Sequence, residues 1–245
     1  NEAEKRGIPA TILTYDVTSY KKKHHMSSQE AARKIRYSLF LKEAARLEAA
    51  KMAVAHHRDD QAETILLNLI RGTGLEGLKG IRPLRAWSKE KYIIRPLLEV
   101  TRKEIEIYLA EKGLPSRLDK TNLKDSYARN KVRLRLFHLL EEEYNPSIKE
   151  SLIALSKITA ETEDYLGAET MAAWEKTVKI KRSEEKATVS MSLEKFTSYH
   201  SAIQSRLIRK SLKAVSPHLK DIGYRHIQSI VELVSVGKTG TALAL

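Results

Sequence analysis

Met52-Ala53-Val54-Ala55 is a short apolar run without polar alternation, the pattern of a β-strand covered on both faces. A strand of that kind needs layers around it, and helical patterns flank it. Upstream, Ser27 and Glu30 read as a capping box for a helix reaching about Ala50, with Ala32, Ile35 and Leu39 on one face. Downstream, a second apolar helix stops at Gly72, a residue that accepts a left-handed backbone. Ile12 to Val17 and Tyr92-Ile93-Ile94 read as further strands, with Lys21 to His25 as a basic loop after the first. Thr101 and Glu104 cap another helix, which Gly113 closes and Pro115 forbids from continuing. This alternation predicts an α/β class: a parallel sheet with helices on both faces.

From Asn145-Pro146 onward the pattern is helical only, with Ile148, Leu152, Leu155 and Ile158 at helical spacing. Lys176 to Lys186 reads as a charged, extended connection, and more helix is expected around residues 206–212 and 226–234. The organisation predicted is an α/β domain over residues 1–140 and a mainly helical domain over 141–245. The 245 residues carry a net charge of +13, a field that suits polyanionic partners, although surplus lysine also serves solubility alone. There is no cysteine, so disulfides, thiolate metal sites and cysteine nucleophiles are excluded from this chain. No apolar run approaches the roughly 20 residues of a membrane helix, so no membrane partner is expected. Asn1 to Lys5 is not a signal peptide, and without an initial methionine the chain is expected to begin partway into a longer protein.

In α/β sheets ligands collect at the carboxyl ends of the strands. His56-His57-Arg58-Asp59-Asp60 lies just past one such end and Arg95 past the next, so both should face one crevice. The bland reading is that Asp59, Asp60 and Glu63 merely favour a positive helix start, but one carboxylate suffices for that. A two-metal phosphohydrolase would need further histidines, and those at positions 24, 25, 138, 200, 218 and 226 form no helical ligand pattern. Gly72 to Gly77 spells G-x-G-x-x-G, yet it closes a helix where a dinucleotide cradle must open one. Arg117 to Arg135 is strongly basic; Arg129 and Arg133 share a helical face, and Asn130 beside them can hydrogen-bond a base or ribose. A solvated helix face is the competing reading there.

Taken together, Ala31-Ala32-Arg33 with Arg36, Tyr37 and Phe40, then AHHRDDQAET, RGTGLEGLKG, RPLL and D.TN......RN.VR, occur in one order over most of residues 1–137. In combination they resemble the tRNA(Ile)-lysidine synthases of the PP-loop ATP pyrophosphatase superfamily. The resemblance implies an adenine nucleotide alpha hydrolase-like fold, incomplete at its N-terminus, ahead of a helical substrate-binding region. It implies a reaction in which ATP adenylates the wobble cytidine of a tRNA(Ile) with a CAU anticodon. The amine of free L-lysine then displaces AMP.

The roles implied are specific. Asp60, Glu63, His56 and Arg95 are the catalytic candidates, with His56 as the base and Asp60 or Glu63 beside the lysine. Asp60 would hold Mg²⁺, and Asp59, Asp60, Arg33 and Arg36 the ATP. Arg129, Asn130, Lys131, Arg133, Asp119 and Asn122 would meet the tRNA, with Arg95, Arg129 and Arg133 neutralising phosphate. A cytoplasmic location and a homodimer are compatible with this reading. The superfamily's S-G-G-x-D-S phosphate loop is not among these residues and is expected upstream, so this stretch alone is expected to be inactive. Two rivals stand beside it: another PP-loop tRNA-modifying or small-molecule ATP pyrophosphatase, and a non-catalytic tRNA-binding module.

Overall fold

The computed structural model describes residues 2–116, 128–182, 187–216, 222–236 and 240. Asp119 and Asn122 lie outside the described residues, as does Gly237-Lys238-Thr239. The chain divides into two units, Asn1–Arg71 with Gly80–Ile153, and Gly72–Lys79 with Ala154–Leu245.

The first unit opens with α1 (Glu2–Lys5), α2 (Val17–His24) and α3 (Ser28–Arg46). No strand forms at Ile12 to Val17, where one was expected. Asp16 accepts the N–H groups of Thr18 at 2.9 Å and Ser19 at 3.1 Å, so it caps a helix whose last turn is the basic stretch read as a loop. Ile12 is left 85% exposed. Ser27 caps α3 by accepting the Glu30 N–H at 3.2 Å, and the buried face of that helix is Ala31, Ile35 and Ala44.

β1 (Lys51–Ala53), α4 (Arg58–Ile70), α5 (Leu75–Leu78), β2 (Leu84–Ser88) and β3 (Lys91–Ile94) follow. β1 and β3 run parallel, Lys51 opposite Tyr92 and Ala53 opposite Ile94, as the α/β class requires. β2 adds to β3 as an antiparallel hairpin arm that the sequence did not announce, so the sheet is mixed, in the order β1-β3-β2. Lys51 and Ala53 are exposed and Met52 half-buried, so β1 is not covered on both faces as expected; the buried strand residue is Ile93 of β3. α3 packs against β1. α4 buries Ala62, Ile65 and Leu66 and stops before Gly72, whose φ of +74° is the left-handed turn anticipated there.

α6 (Arg102–Glu111) starts at a complete capping box: Glu104 N–H to Thr101 Oγ1 at 3.1 Å and Thr101 N–H to Glu104 Oε2 at 2.7 Å. Gly113, at φ +60°, closes it. α7 (Ala128–Lys131) passes into a π-helical turn over Val132–Leu136 and then α8 (Phe137–Glu143). The wider turn sets the buried Val132 and Phe137 five residues apart on one face, with the Phe137 N–H donating to the Val132 carbonyl.

α9 (Ile148–Thr177) begins in the first unit, and its residues from Ala154 on belong to the second. Its covered stripe is Leu152, Ser156, Thr159, Glu163, Thr170 and Ala173. Leu155 and Ile158, taken as core from their spacing, are 40% and 62% exposed. Within the second unit Glu163 pairs with Arg206 and lies 3.9 Å from the Lys79 ammonium. β4 (Val178–Arg182) and β5 (Ala187–Met191) form an antiparallel pair where an extended connection was expected; alternate lysines kept the strand pattern from showing. α10 (Leu193–Ser198), α11 (Ser201–Val215) and α12 (Tyr224–Val236) complete the unit around Phe196, Ile203, Leu207, Ile208 and Ile227.

Candidate active site

His57 is the N-cap of α4, in extended backbone immediately after the β1 segment, so the next residues project from a helix N-terminus. Asp59 and Asp60 occupy that first turn, where the helix dipole favours anions. Asp60 does serve the cap, its Oδ2 accepting the His57 N–H at 3.1 Å. Its other oxygen is 3.3 Å from one Arg129 nitrogen and 3.6 Å from one of Arg133.

Glu63, one turn on, is 2% exposed. Its Oε1 accepts from Arg133 Nε at 2.5 Å and its Oε2 from Arg129 Nε at 2.7 Å and Arg133 Nη2 at 3.0 Å. Two acids three apart on α4 thus face two arginines four apart on α7 and the π-turn. Each spacing places its pair on one helical face. Arg129 also donates to the Asp60 carbonyl at 3.2 Å.

Past the ends of the parallel strands, Arg95 donates its Nε–H to His56 Nδ1 at 3.2 Å and an Nη1–H to the Arg82 carbonyl. Burial pushes the His56 pKa down; Asp60 opposes this, while Arg95, Arg33 and Arg129 add to it. His57 behaves oppositely. Its close approach to the Asp59 carboxylate and the charges of Asp60, Asp59 and Glu63 raise its pKa against the cost of burial. Its Nδ1 lies 3.6 Å from Asp59 Oδ2 and its Nε2 3.5 Å from Asp60 Oδ2. The proximity of His57, with the Arg102 N–H and Lys149, holds the Asp59 carboxyl far below the usual carboxylate range.

The structure therefore brings His56, Asp59, Asp60, Glu63, Arg95, Arg129 and Arg133 into one region of the first unit. Arg33 reaches its edge: it stacks over Tyr37 at 5.1 Å from the ring centroid and is felt electrostatically at His56. Arg36 is exposed and joins no contact of the cluster among the described residues. Asn130 is buried beside Arg129, and Lys131 is exposed on the same turn. Sequence reasoning did not single out His57, Lys149 or Gln61, whose Oε1 accepts the Ile81 N–H at 2.5 Å. For His57 the signal was present: a histidine at the N-cap, two and three residues before acids.

Among the described residues no group of three or more His, Asp or Glu side chains could hold a metal ion. The donor set fits magnesium differently. Mg²⁺ takes one or two carboxylates and fills its shell with phosphate oxygens and water, so one carboxylate beside arginines matches an ion arriving on a nucleotide.

An α/β unit with an acidic helix start after one parallel strand and Arg95 after the other sets charged side chains where sheets of this class bind their ligands. Residues 2–140 match the PP-loop domain, and the chain belongs to that family. It is 36% identical over 242 residues to the tRNA(Ile)-lysidine synthase of Clostridioides difficile, covering 99% of this chain and 51% of that protein. Against the enzyme of the same name from Clostridium acetobutylicum it is 38% identical, covering 93% and 48%. Against that of Bacteroides thetaiotaomicron it is 46% identical, covering 62% and 34%. The chain spans about half the length, or less, of these curated relatives. Among solved structures, a U34-tRNA thiolase from Methanococcus maripaludis superposes with a TM-score of 0.50 at 18% identity, covering 64% of this chain and 53% of that one. At that identity the likeness is one of fold.

Proposed function

We propose that this chain is part of an enzyme that ligates free L-lysine to the wobble cytidine of tRNA(Ile) through an adenylated cytidine. The observation that carries the reading is the convergence of Asp60, Arg95, Arg129 and Arg133 on one region past the strand ends. In the first step the cytidine 2-oxygen attacks the α-phosphorus of ATP and pyrophosphate leaves. In the second the lysine ε-amine attacks the activated carbon, loses a proton, and AMP leaves. Magnesium, when bound, supplies charge neutralisation at the triphosphate, and Asp60 would hold it.

The geometry divides the roles. Asp60, its side chain 15% exposed against 2% for Glu63, is the acid that would meet cations, the ion accompanying the nucleotide and the ammonium of lysine. Glu63 has both oxygens engaged by Arg129 and Arg133, so it orients those guanidinium groups toward phosphate instead of meeting lysine. His56 has Nδ1 occupied by Arg95, which leaves its Nε2–H as a hydrogen-bond donor, a role different from that of a base. Asp59 anchors the local structure, and Arg33 lies nearer the nucleotide than Arg36. The tRNA backbone would lie along Arg129, Asn130, Lys131, Arg133, Asp119 and Asn122 and over the region from residue 141 onward, within a cytoplasmic and homodimeric enzyme. Net positive charge favours that partner.

A thiolase reading is weaker on one point: the 245 residues supply no cysteine to carry sulfur. The discriminating experiment is Asp60→Asn in the encoding gene, followed by purified-enzyme assays with tRNA(Ile), ATP and labelled lysine. Lysine incorporation should fall at least about 100-fold with tRNA affinity intact. Unchanged incorporation would remove the reading, and unchanged decoding in cells would favour a binding module.

A further inference from the structure

We propose that Lys149 is a positioning residue for Asp60, acting through Asp59 and His57; the inference rests on the ligase reading above. Lys149 stands in the first turn of α9. Its ammonium is 2.8 Å from Glu141 Oε1, 3.6 Å from Asp59 Oδ1 and 5.3 Å from the centroid of the buried Phe137 ring. Asp59 is gripped from a third side by the Arg102 N–H at 2.9 Å, the start of α6. Beyond Asp59 comes His57, and beyond His57 the Oδ2 of Asp60. The order is acid, cation, acid, imidazole, acid, from Glu141 to Asp60.

Each member of such a chain is oriented by the one before it, and Asp60 is the terminal member. On its other side, among the described residues, Asp60 meets Arg129 and Arg133, cations that are already shared with Glu63. With the chain intact, Asp60 Oδ2 stays with His57 and its carboxylate stands between two sets of partners. Without the Lys149 charge, Asp59 keeps the Arg102 N–H and draws more of the His57 charge to itself; Asp60 Oδ2 is left with the His57 backbone N–H, and the carboxylate leans toward Arg129 and Arg133. Its negative charge is then spent on them instead of on an incoming ammonium. A purely structural staple of α9 onto the α4 start would leave the Asp60 environment unaltered in whatever fraction stays folded.

The test uses the protein expressed from its complete gene, with Lys149→Met, Lys149→Arg, His57→Gln, the Lys149→Met/His57→Gln pair and Asp60→Asn. L-lysine affinity is measured by calorimetry, turnover with tRNA(Ile) by single-turnover assay, and folding by thermal melt. Lys149→Met should weaken lysine binding and slow turnover by about tenfold each, since small misplacements of a reacting group are costly. Lys149→Arg should recover to within about threefold, and the double variant should be no worse than His57→Gln, because residues acting through one another are not additive. If Lys149→Met is insoluble, Lys149→Gln carries the same comparison. Wild-type lysine affinity and turnover in Lys149→Met, or fully additive losses in the double variant, overturn the inference. If Asp60→Asn binds and transfers lysine normally, it is the ligase reading that fails; if Asp60→Asn is impaired while Lys149→Met is not, the positioning role alone fails.

Discussion

Arg95 gives its Nε–H to His56, tying the residue after β3 to the segment after β1 by a 3.2 Å bond across the top of the parallel pair. The bond occupies Nδ1, so the imidazole keeps its proton on Nε2. The guanidinium charge adds to the burial that already disfavours protonation. Arg95→Met removes that charge, and the His56 pKa should rise, read directly by NMR titration of labelled histidine. An unmoved His56 titration would mean that the two side chains are not coupled in solution.

Glu63 offers a stability test. It is a buried acid compensating two guanidinium groups, and removing one partner of such a set leaves charge uncompensated. Glu63→Gln should cost about 3 kcal/mol in chemical denaturation. Glu63→Asp, too short to reach both arginines, should lie between wild type and Gln. A loss below about 0.5 kcal/mol for Gln would show that the arginines find other partners.

The two adjacent histidines should pull stability in opposite directions with pH. His57 has a raised folded pKa, so its contribution is complete below about pH 6.5 and disappears as pH climbs through the folded value. His56 has a depressed one, so the unfolded chain takes up the proton first and stability drops as pH falls below about 6.5. His57→Gln should flatten the alkaline limb of the stability profile and His56→Gln the acid limb. Identical profiles for the two variants would contradict the assignment.

Gly80 is held at φ +65°, and a β-carbon there would sit 2.6 Å from Gln61 Oε1 and 2.9 Å from Ile65 Cγ1. Gln61 uses that oxygen to receive the Ile81 N–H. Gly80→Ala should cost about 2 kcal/mol from strain and lost fit, whereas Gly113→Ala, with open space around it, should show the backbone strain alone. Thermal melts of the two variants make the comparison.

Some of this was written locally in the chain. The caps at Ser27 and Thr101 and the stop glycines after α4 and α6 rest on residues within one helical turn of each other, and they appeared where their chemistry required. The acids of Asp59-Asp60 and the arginines at 129 and 133 were visible as separate clusters for the same reason.

What pairs with what was settled only by folding. Nothing within a turn of Glu63 indicates that both its oxygens will be taken by arginines some seventy residues away. Ile12 to Val17 carries strand-forming residues, yet a strand exists only beside another strand; Ile12 to Asp16 stays irregular, and the Asp16 cap starts a helix at Val17. Leu155 and Ile158 are apolar at helical spacing, but the face a long helix buries is chosen by its neighbours, and here those cover Ser156, Thr159 and Glu163. Residue chemistry and spacing act over a few ångströms along the chain and so can be read from order alone. Which distant partner meets a given side chain depends on how whole elements pack, and that information exists only in three dimensions.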